Sequence, residues 1–266
     1  MIAPMSNSSA FHEILSRVRF VLVEPSHPGN VGASARAMQA MGFEQLWLAS
    51  PEDPKIASRS DAVALSSGAA RVLDGSRVCT LEEALGPATW SCAMSARTRE
   101  FEPPRLSLED ACDALVSHLH NQLSIPGAEQ AQAAFVFGPE RSGLSNDQLL
   151  QCRHVCSLDV DEKFSSLNLS QAVQVVAYAL RQAARAFSPA VIAAGNNRET
   201  ARPADHAMVD GLHAHLMEVA LKVGYLDPSN PGRFNERLRR LLARKEMWED
   251  EVQMLRGLCS EIQRRT

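Results

Sequence analysis

The chain lacks the features that mark several specialised classes of protein. No segment offers about 18 or more uninterrupted apolar residues, and residues 1–17 have no long apolar core, so we expect neither a membrane span nor a signal peptide. There is no excess of positive charge, because 27 Lys and Arg face 31 Asp and Glu. A net charge of -4 excludes a uniformly basic nucleic-acid binder but allows local basic patches. The chain also has no internal repeat and no low-complexity tract.

Cysteine is sparse and spread out. Six cysteines in 266 residues are too few and too scattered for a disulfide framework, and a chain of this size does not need one. A reducing, cytoplasmic location is therefore expected. Cys152, His154 and Cys156 lie close together in sequence, but alternate residues of a strand entry do not converge, and no second ligand pair is near. We expect these cysteines to be buried and no metal to be required.

Apolar runs and amphipathic stretches alternate along the first two thirds of the chain. Short strand-like runs are followed by helix-like segments, and Thr80 with Glu83 and Ser145 with Gln148 have the spacing of capping boxes. This alternation predicts an α/β fold with a mostly parallel sheet and right-handed crossovers. The predicted strands are residues 19–24, 45–50, 77–80, 88–94, 133–138 and 154–160.

Composition divides the chain into four parts. Residues 1–17 resemble a mobile tail, 18–188 form the α/β domain, 189–203 have the composition of a linker, and 204–266 have helical periodicity throughout. The helical part carries three apolar stripes, and two or three such helices cannot bury themselves well alone. They should pack on the α/β domain or on a second subunit. The stripes are Val209, Leu212, Leu216, Val219 and Val223; Phe234, Leu238, Leu241 and Leu242; and Trp248, Val252, Leu255, Leu258 and Ile262.

Three loops follow predicted strands, where open α/β sheets usually bind ligands. SHPGNVGASARAM starts at Ser26, FGPERSGLSNDQ at Phe137 and FSSLNLSQ at Phe164. Each has an ordinary structural explanation, since glycines permit turns and Asn30, Ser145 or Asn168 can cap a helix. Together they would build one polar rim, and leftover serines at a helix N-terminus often hold a polar ligand.

Four stretches resemble a known family. SHPGNVGASARAMQAMGF, MSAR, FGPERSGL and FSSLNLSQAVQVVAYALR are similar to the motifs of the SPOUT superfamily of RNA 2'-O-methyltransferases. With RFNERLRRLL and MLRGL near the C-terminus, the resemblance is strongest to bacterial tRNA (cytidine/uridine-32-2'-O)-methyltransferases. It runs from about Val18 to the end of the chain, with the motifs in order and at matching spacing.

The resemblance implies a fold, a cofactor and an assembly. The family ties the C-terminal part of its sheet in a trefoil knot, binds S-adenosyl-L-methionine there, and forms a homodimer with a catalytic arginine at the interface. By match of motif, Arg36, Asn30, Glu140 and Asn168 would form the catalytic and RNA-facing rim. The expected cofactor-binding residues are Met94, Ser95, Ala96, Gly138, Leu158, Ser165, Ser166 and Leu167.

The expected chemistry assigns Arg36 an electrostatic role. Methyl transfer from a sulfonium needs an aligned ribose hydroxyl and stabilisation of its developing negative charge. A guanidinium stays protonated and can hold a phosphate through two hydrogen bonds, so it suits that task and is a poor general base. The proton acceptor is not identified. Pro139 stands where relatives commonly have arginine, so this chain lacks the charge of one possible RNA contact at that position.

Arginines crowd the segment between residues 233 and 245. Helical spacing places Arg233, Arg237, Arg240 and Arg244 on one face, opposite the second apolar stripe. Such a run is often only a solvated face. Its arginine content and the family resemblance favour a tRNA-binding surface, which Arg97, Arg99 and Arg105 could extend, with affinity that falls as salt rises.

Two other functions compete with methyl transfer. The chain could be an RNA-binding module that has kept the fold without transfer, although Arg36, Asn30 and the SSLNL loop argue against this. It could also be a nicotinamide-dependent oxidoreductase, since Gly29 and Gly32 follow the first strand. The full G-x-G-x-x-G spacing is missing, however. Titration with S-adenosylmethionine and with NADH would separate these possibilities.

Overall fold

The fold is an α/β sheet domain followed by a helical extension. The computed structural model describes residues 7–123, 125, 131–161, 167–187, 202–229, 232–244 and 247–265. The sheet domain runs through α1 (Asn7–Ser16), β1 (Val18–Val23), α2 (Pro28–Met41), β2 (Gln45–Ala49), a 3-10 turn (Ile56–Ser58), α3 (Ser60–Ser66), α4 (Ala70–Asp74), β3 (Arg77–Cys79), α5 (Leu81–Leu85), β4 (Ala88–Met94), β5 (Arg105–Leu106), α6 (Leu108–Leu123), β6 (Gln132–Phe137), α7 (Asn146–Leu150), β7 (His154–Cys156) and α8 (Leu169–Ala186). The extension contains α9 (His206–Lys222), α10 (Phe234–Ala243) and α11 (Glu249–Arg265).

The predicted strands are confirmed. All six form within a few residues of their expected bounds, and both capping boxes, at Thr80 and at Ser145, are present. The two-residue strand β5 and the short helix α4 were not predicted. Such elements are too short to carry a periodic signal.

Seven strands form one parallel sheet in the order β3-β2-β1-β6-β4-β7-β5. The chain builds outward from β1 through β2 to β3, then crosses to β4 on the other side. Later strands return to fill gaps, so that β6 lies between β1 and β4, and β7 between β4 and β5. The predicted α/β class with a parallel sheet is confirmed, and the carboxyl ends of β1, β4, β6 and β7 share one edge.

Both faces of the sheet are covered. Successive strand residues point to opposite faces, so Phe20 and Leu22 enter a core with α2, α6 and α8, whereas Val21 and Val23 enter a core with α5. Burial on both faces explains why the strands read as continuous apolar runs rather than as alternating patterns.

The N-terminus differs from its expectation. A mobile tail was expected over residues 1–17, but Asn7–Ser16 forms α1, which packs against α6 and α8. Ile14 and Leu15 are buried in the main core. The expectation is wrong for this segment, because a single helical stretch with two buried residues shows little periodicity before its partners are known.

The extension has a small core of its own and is also attached to the sheet domain. Leu212, Val252 and Ala204 form that core. At the junction, His206 Nε2 lies 2.8 Å from Ser91 Oγ on β4, and Arg153 Nη2 donates to the Ala204 carbonyl. The expectation that these helices pack on the α/β domain is therefore confirmed. The expected linker lies outside the described residues, except for Arg202 and Pro203.

The apolar stripes of the extension are only partly buried. Leu238 packs inward, but Leu241 on the same helix is 61% exposed. Leu258 on α11 (58%) and Val223 at the C-terminal end of α9 (46%) are also exposed. The predicted stripes are wrong at these three positions. Helical periodicity identifies a face but does not tell how wide the covered part of it is. In the described part of the chain, no helix is long and apolar enough to cross a membrane.

Candidate cofactor and RNA site

The loops that follow β4, β6 and β7 enclose a cavity of about 220 Å³ at the carboxyl edge of the sheet. Its walls consist of loop backbone and of leucine side chains. We call it the edge cavity. Its lining residues are Met94, Ser95, Ala96, Arg97, Arg99, Phe137, Gly138, Pro139, Glu140, Arg141, Ser142, Gly143, Leu144, Leu158, Val160, Leu167, Leu169 and Ala172.

The edge cavity brings together the residues expected to bind the cofactor. Six of the eight line it, although they come from four separate stretches of sequence: Met94, Ser95, Ala96, Gly138, Leu158 and Leu167. Ser165 and Ser166 lie outside the described residues.

Gly138 is required by the tight fold of the FGPERSGL loop. A Cβ at this position would lie 2.3 Å from the Leu144 nitrogen and 2.6 Å from the Gly143 carbonyl carbon, which is closer than any side chain tolerates. The loop turns back on itself, with Gly143 at φ +66° and its N–H donating to the Pro139 carbonyl at 2.9 Å. One wall of the edge cavity is therefore made of backbone, which can approach a ligand closely.

A chain of hydrogen bonds joins three of the four predicted catalytic residues. Asn30 Nδ2 donates to Glu140 Oε1 at 2.9 Å, and Asn168 Nδ2 donates to Asn30 Oδ1 at 3.0 Å. Ser26 donates to Glu140 Oε2 through its backbone N–H at 3.3 Å and its hydroxyl at 3.1 Å. The network ties the starts of α2 and α8 to the loop after β6, so its side chains are held in fixed orientations.

The network also sets the charge of Glu140. Partial burial acts to raise the pKa of its carboxyl, but hydrogen bonds from Asn30 and Ser26 outweigh that effect and leave the pKa lowered. Glu140 is thus a carboxylate at neutral pH. Because its pKa is depressed, it is poorly suited to accept a proton in the reaction.

Capping explains Asn168 but not Asn30. Asn168 Oδ1 accepts a hydrogen bond from the Ser170 N–H at 2.9 Å at the start of α8, so it caps the helix as predicted. Helix α2 begins with Pro28 behind His27, and no side chain caps it. The capping role considered for Asn30 is therefore wrong, since its amide is committed to the network.

Arg36 is placed differently from the other predicted catalytic residues. It is exposed on α2, does not line the edge cavity, and makes no hydrogen bond or ion pair with any described residue. Within a single chain, the structure thus brings together Asn30, Glu140 and Asn168 but not Arg36.

The arginines after β4 have different tasks. Arg97 is exposed at the mouth of the edge cavity. Arg99 donates to Asn146 Oδ1 and to the Leu144 carbonyl, so it joins two walls of the cavity. Arg105 donates to the carbonyls of Ser95 at 3.0 Å and Arg97 at 2.9 Å and is paired with Glu102. The guanidinium of Arg105 is thus already bonded within the chain. Its expected part in extending the RNA track stays a prediction.

Helix α10 brings the arginine-rich segment close to the edge cavity. Arg233 forms an ion pair with Glu100 (Nη1–Oε1, 2.6 Å) and lies 5.1 Å over the Phe101 ring. Arg240 and Arg244 line a groove of about 300 Å³ together with Arg99, Arg105 and Glu102. Arg237 is exposed. The predicted arginine face thus borders the loop that forms one wall of the edge cavity.

Sequence reasoning missed two residues that shape the site. Ser26 was read only as part of a turn, and Glu102 was not considered at all. A signal for Glu102 was present, because an acid three residues before Arg105 in EPPR can form a local ion pair, but the pattern is too common to be specific. Within the described residues, no group of three or more His, Cys, Asp or Glu side chains could hold a metal ion.

Comparisons with known families agree with this geometry. The SpoU rRNA Methylase family matches residues 17–178, which contain all the strands, and the tRNA methyltransferase TrmJ, C-terminal domain family matches residues 207–266. The first match thus falls on the sheet domain and the second on the helical extension.

Individual relatives match almost the whole chain. The tRNA (cytidine/uridine-2'-O-)-methyltransferase TrmJ of Cronobacter sakazakii is 38% identical over 94% of this chain and 97% of its own length. The tRNA (cytidine/uridine/adenosine-2'-O-)-methyltransferase TrmJ of Pseudomonas aeruginosa is 37% identical over 94% and 95%. The crystal structure of TrmJ from Z. mobilis superimposes with a TM-score of 0.76 at 30% identity, covering 92% of this chain and 98% of that one. This chain therefore belongs to the SpoU methylase family, within the group of TrmJ methyltransferases.

Proposed function

We propose that the protein transfers a methyl group from S-adenosyl-L-methionine to a ribose 2'-hydroxyl of tRNA in the cytoplasm. The target is a cytidine or uridine, and we place it at position 32 of the anticodon loop. The names of the TrmJ relatives support the substrate and the reaction. Residues 18–188 would carry out the transfer, and residues 204–266, joined to them through the linker 189–203, would bind the tRNA.

One observation carries this proposal: the edge cavity and the Asn30–Glu140–Asn168 network share a wall at Glu140. The cavity suits an adenosyl cofactor, because leucines at 144, 158, 167 and 169 can pack on an adenine while loop backbone supplies hydrogen bonds. Gly138 keeps one wall free of side chain. Met94, Ser95, Ala96, Gly138, Leu158 and Leu167 would hold the cofactor, together with Ser165 and Ser166.

The bound cofactor supplies an electrophilic methyl group, so the protein's task is to position the hydroxyl and stabilise its charge. The fixed Asn30 and Asn168 amides orient the rim that faces the ribose. Glu140, held as a carboxylate, anchors Asn30. Arg36 stabilises the developing alkoxide or holds the adjacent phosphate, since its guanidinium is permanently charged and is bonded to no residue that the structure describes.

A homodimer would complete the site. Large apolar side chains are exposed on two of the helices that pack beside α2: Val63 (56%) and Leu65 (52%) on α3, and Tyr178 (54%) on α8. A second copy that covers this surface would lie beside Arg36 and could bring its guanidinium to the edge cavity of the partner. This would account for an Arg36 that is exposed and does not line the edge cavity of its own chain.

We further propose that the C-terminal part of the sheet is knotted. The strand order supports this, because β6 and β7 return to positions between strands laid down earlier, and α8 then packs against α2 and α6. Such threading is rare among proteins.

For the tRNA, we propose a path from Arg97 at the cavity mouth to the exposed arginines of α10. Arg240 and Arg244 form one side of the groove beside the cavity wall. Arg99 would contribute by holding the cavity walls, while Arg233 and Arg237 would contact phosphates farther out.

The decisive experiment incubates unmodified tRNA with the protein and S-adenosylmethionine carrying a labelled methyl group, then maps the labelled nucleoside. We expect label on the 2'-oxygen of nucleotide 32 only. Label on a base would refute 2'-O-methyl transfer, and so would the absence of label in a protein that binds the cofactor. Label at another ribose would refute only the position. A parallel titration with NADH should show no binding.

A further inference from the structure

The loop of residues 95–99, here called the cavity loop, separates two spaces. On one side Ser95, Ala96 and Arg97 line the edge cavity. On the other side lies the 300 Å³ groove, which is lined by Glu102, Arg105 and the α10 arginines. Arg105 lines the groove and not the cavity, so it holds the loop from behind.

Five polar contacts form a network on the groove side, and three of them reach the cavity loop. Arg105 Nη1 donates to the Ser95 carbonyl at 3.0 Å and Nη2 to the Arg97 carbonyl at 2.9 Å. The same guanidinium is paired with both carboxylate oxygens of Glu102, at 2.9 and 2.8 Å. Glu102 Oε2 also accepts the Arg99 N–H at 3.1 Å. Two side chains thus hold three successive parts of the loop.

This arrangement decides which way one backbone donor points. In a trans peptide the C=O and the following N–H point in opposite directions. The Ser95 carbonyl points to Arg105 on the groove side, so the Ala96 N–H of that peptide points to the opposite side of the loop, where Ala96 lines the edge cavity. Among the described residues, this N–H has no hydrogen-bond partner. A backbone donor facing a cavity without a partner is suited to bind an acceptor on a ligand.

We propose that the Glu102–Arg105 pair is a positioning unit for the cofactor, holding the cavity loop so that the Ala96 N–H is donated to an acceptor on S-adenosylmethionine. The acceptor is a ribose hydroxyl or the carboxylate of the methionine part. The inference rests on the proposed function, whose cofactor it concerns. Neither side chain touches the reacting atoms, so both act through the backbone.

The positions of the donors and acceptors in the Glu102–Arg105 pair matter as well as its charges. A guanidinium can hold two carbonyls and a carboxylate at once because its donors form a planar fork, which the single ammonium of lysine cannot reproduce. The side chain of Glu102 is only 13% exposed and that of Arg105 25%. Hydrogen bonding from Arg105 lowers the pKa of Glu102, so the pair stays ionised throughout the neutral range.

The test is a calorimetric titration of the full chain with S-adenosylmethionine and with S-adenosylhomocysteine. We expect Arg105→Lys and Glu102→Gln each to raise the Kd about tenfold or more. The double variant should bind about as weakly as the weaker single variant, because both changes release the same loop. Arg59→Lys is the matched control, since Arg59 is paired with Asp53 (Nε–Oδ2, 2.6 Å) away from the edge cavity, and its Kd should not change.

Kinetics separate positioning from general destabilisation. We expect KM for the cofactor to rise in both variants, while kcat at saturating cofactor and the affinity for tRNA stay within about twofold of the wild type. Thermal melting identifies folded variants. If Arg105→Lys does not fold, Glu102→Gln, which keeps size and shape, carries the test.

The outcomes are distinct. Folded variants that bind the cofactor as tightly as the wild type overturn the positioning role while leaving the proposed function intact. An equal loss of tRNA affinity also overturns it, because Arg105 would then act as an RNA contact. A wild-type protein that binds no cofactor would refute the proposed function itself, and this inference with it.

Discussion

The carboxyl edge of the sheet and the exposed face of α10 are both rich in polar residues, yet these residues are used in opposite ways. At the edge, Asn30, Glu140 and Asn168 bond to one another and cannot reorient. On α10 and at its C-terminal end, Arg237 and Arg244 are exposed and have no side-chain partner among the described residues. The proposed chemistry thus relies on groups held in place, which need no reorganisation during reaction. The proposed affinity for tRNA relies instead on exposed charges, which suit a flexible polyanion.

The largest effect is expected for Arg36, the one predicted catalytic residue that is not part of the hydrogen-bond network among the described residues. Arg36→Ala should lower methyl transfer about 100-fold or more, because a charge that stabilises the transition state is removed. Cofactor affinity should be nearly unchanged. Single-turnover kinetics and calorimetry check both, with Arg71→Ala as control, since Arg71 is also exposed and is paired with Glu44 (Nη2–Oε2, 3.0 Å). A folded Arg36→Ala protein that had lost cofactor binding would contradict the role.

The next effect tests the fixed wall of the edge cavity. Gly138→Ala should weaken cofactor binding about tenfold or more, because its Cβ would have to displace the backbone of Gly143 and Leu144. Gly257→Ala in α11 is the matched control, since nothing lies within 4 Å of its added Cβ. That variant should be neutral or stabilised by about 0.5–1 kcal/mol. Unchanged binding in folded Gly138→Ala would show that the wall is not rigid.

A smaller effect is expected on α10. Replacing both Arg240 and Arg244 by Gln should reduce tRNA affinity and make it depend less on salt. The slope of log affinity against log salt concentration should become shallower by about 0.7–0.9 for each phosphate that the protein no longer neutralises. The rate at saturating tRNA should not change. Arg264→Gln with Arg265→Gln is the control, because both arginines are already paired with Glu261. Equal salt slopes for the wild type and the Arg240 and Arg244 variant would remove α10 from the RNA path.

The smallest effect concerns the junction that holds α10 in place. Burial, with the nearby charge of Arg153, keeps the pKa of His206 well below its ordinary value, and burial lowers that of His213 to about 4. Above about pH 6.5 both histidines are neutral in the folded and in the unfolded chain. As pH falls below that, the unfolded chain takes up protons that the folded chain cannot, so stability falls by up to about 1.4 kcal/mol per pH unit for each histidine.

His206→Gln should therefore lose less stability than the wild type between pH 7 and pH 5, although it is less stable at pH 8. Chemical denaturation at several pH values measures this. Parallel curves for the two proteins would mean that His206 is protonated in the folded state. The Ser91–His206 contact would then not be a hydrogen bond to a neutral imidazole.

Much of the site could be predicted because it lies at strand ends. Apolar runs such as those around Phe20 and Phe135 specify buried parallel strands, and the carboxyl ends of such strands share an edge. Family resemblance then selected residues within the loops. Ser26 and Glu102 were missed, and each is a single polar side chain. The partner of Ser26, Glu140, is 114 residues away in the sequence, whereas the partner of Glu102, Arg105, is only three residues away. Neither separation produces a pattern that differs from an ordinary turn.

By itself the sequence determined the α/β class, the strands, the capping boxes and the family, since each depends on local periodicity or on motifs that remain readable along the chain. Only the tertiary structure decided which partner each polar side chain of the site bonds to. It committed Asn30 to Glu140 rather than to a cap, set Arg105 behind the cavity loop, and left Arg36 exposed. Hydrogen bonds between distant segments depend on how the strands are ordered, and that order follows from packing the whole chain at once.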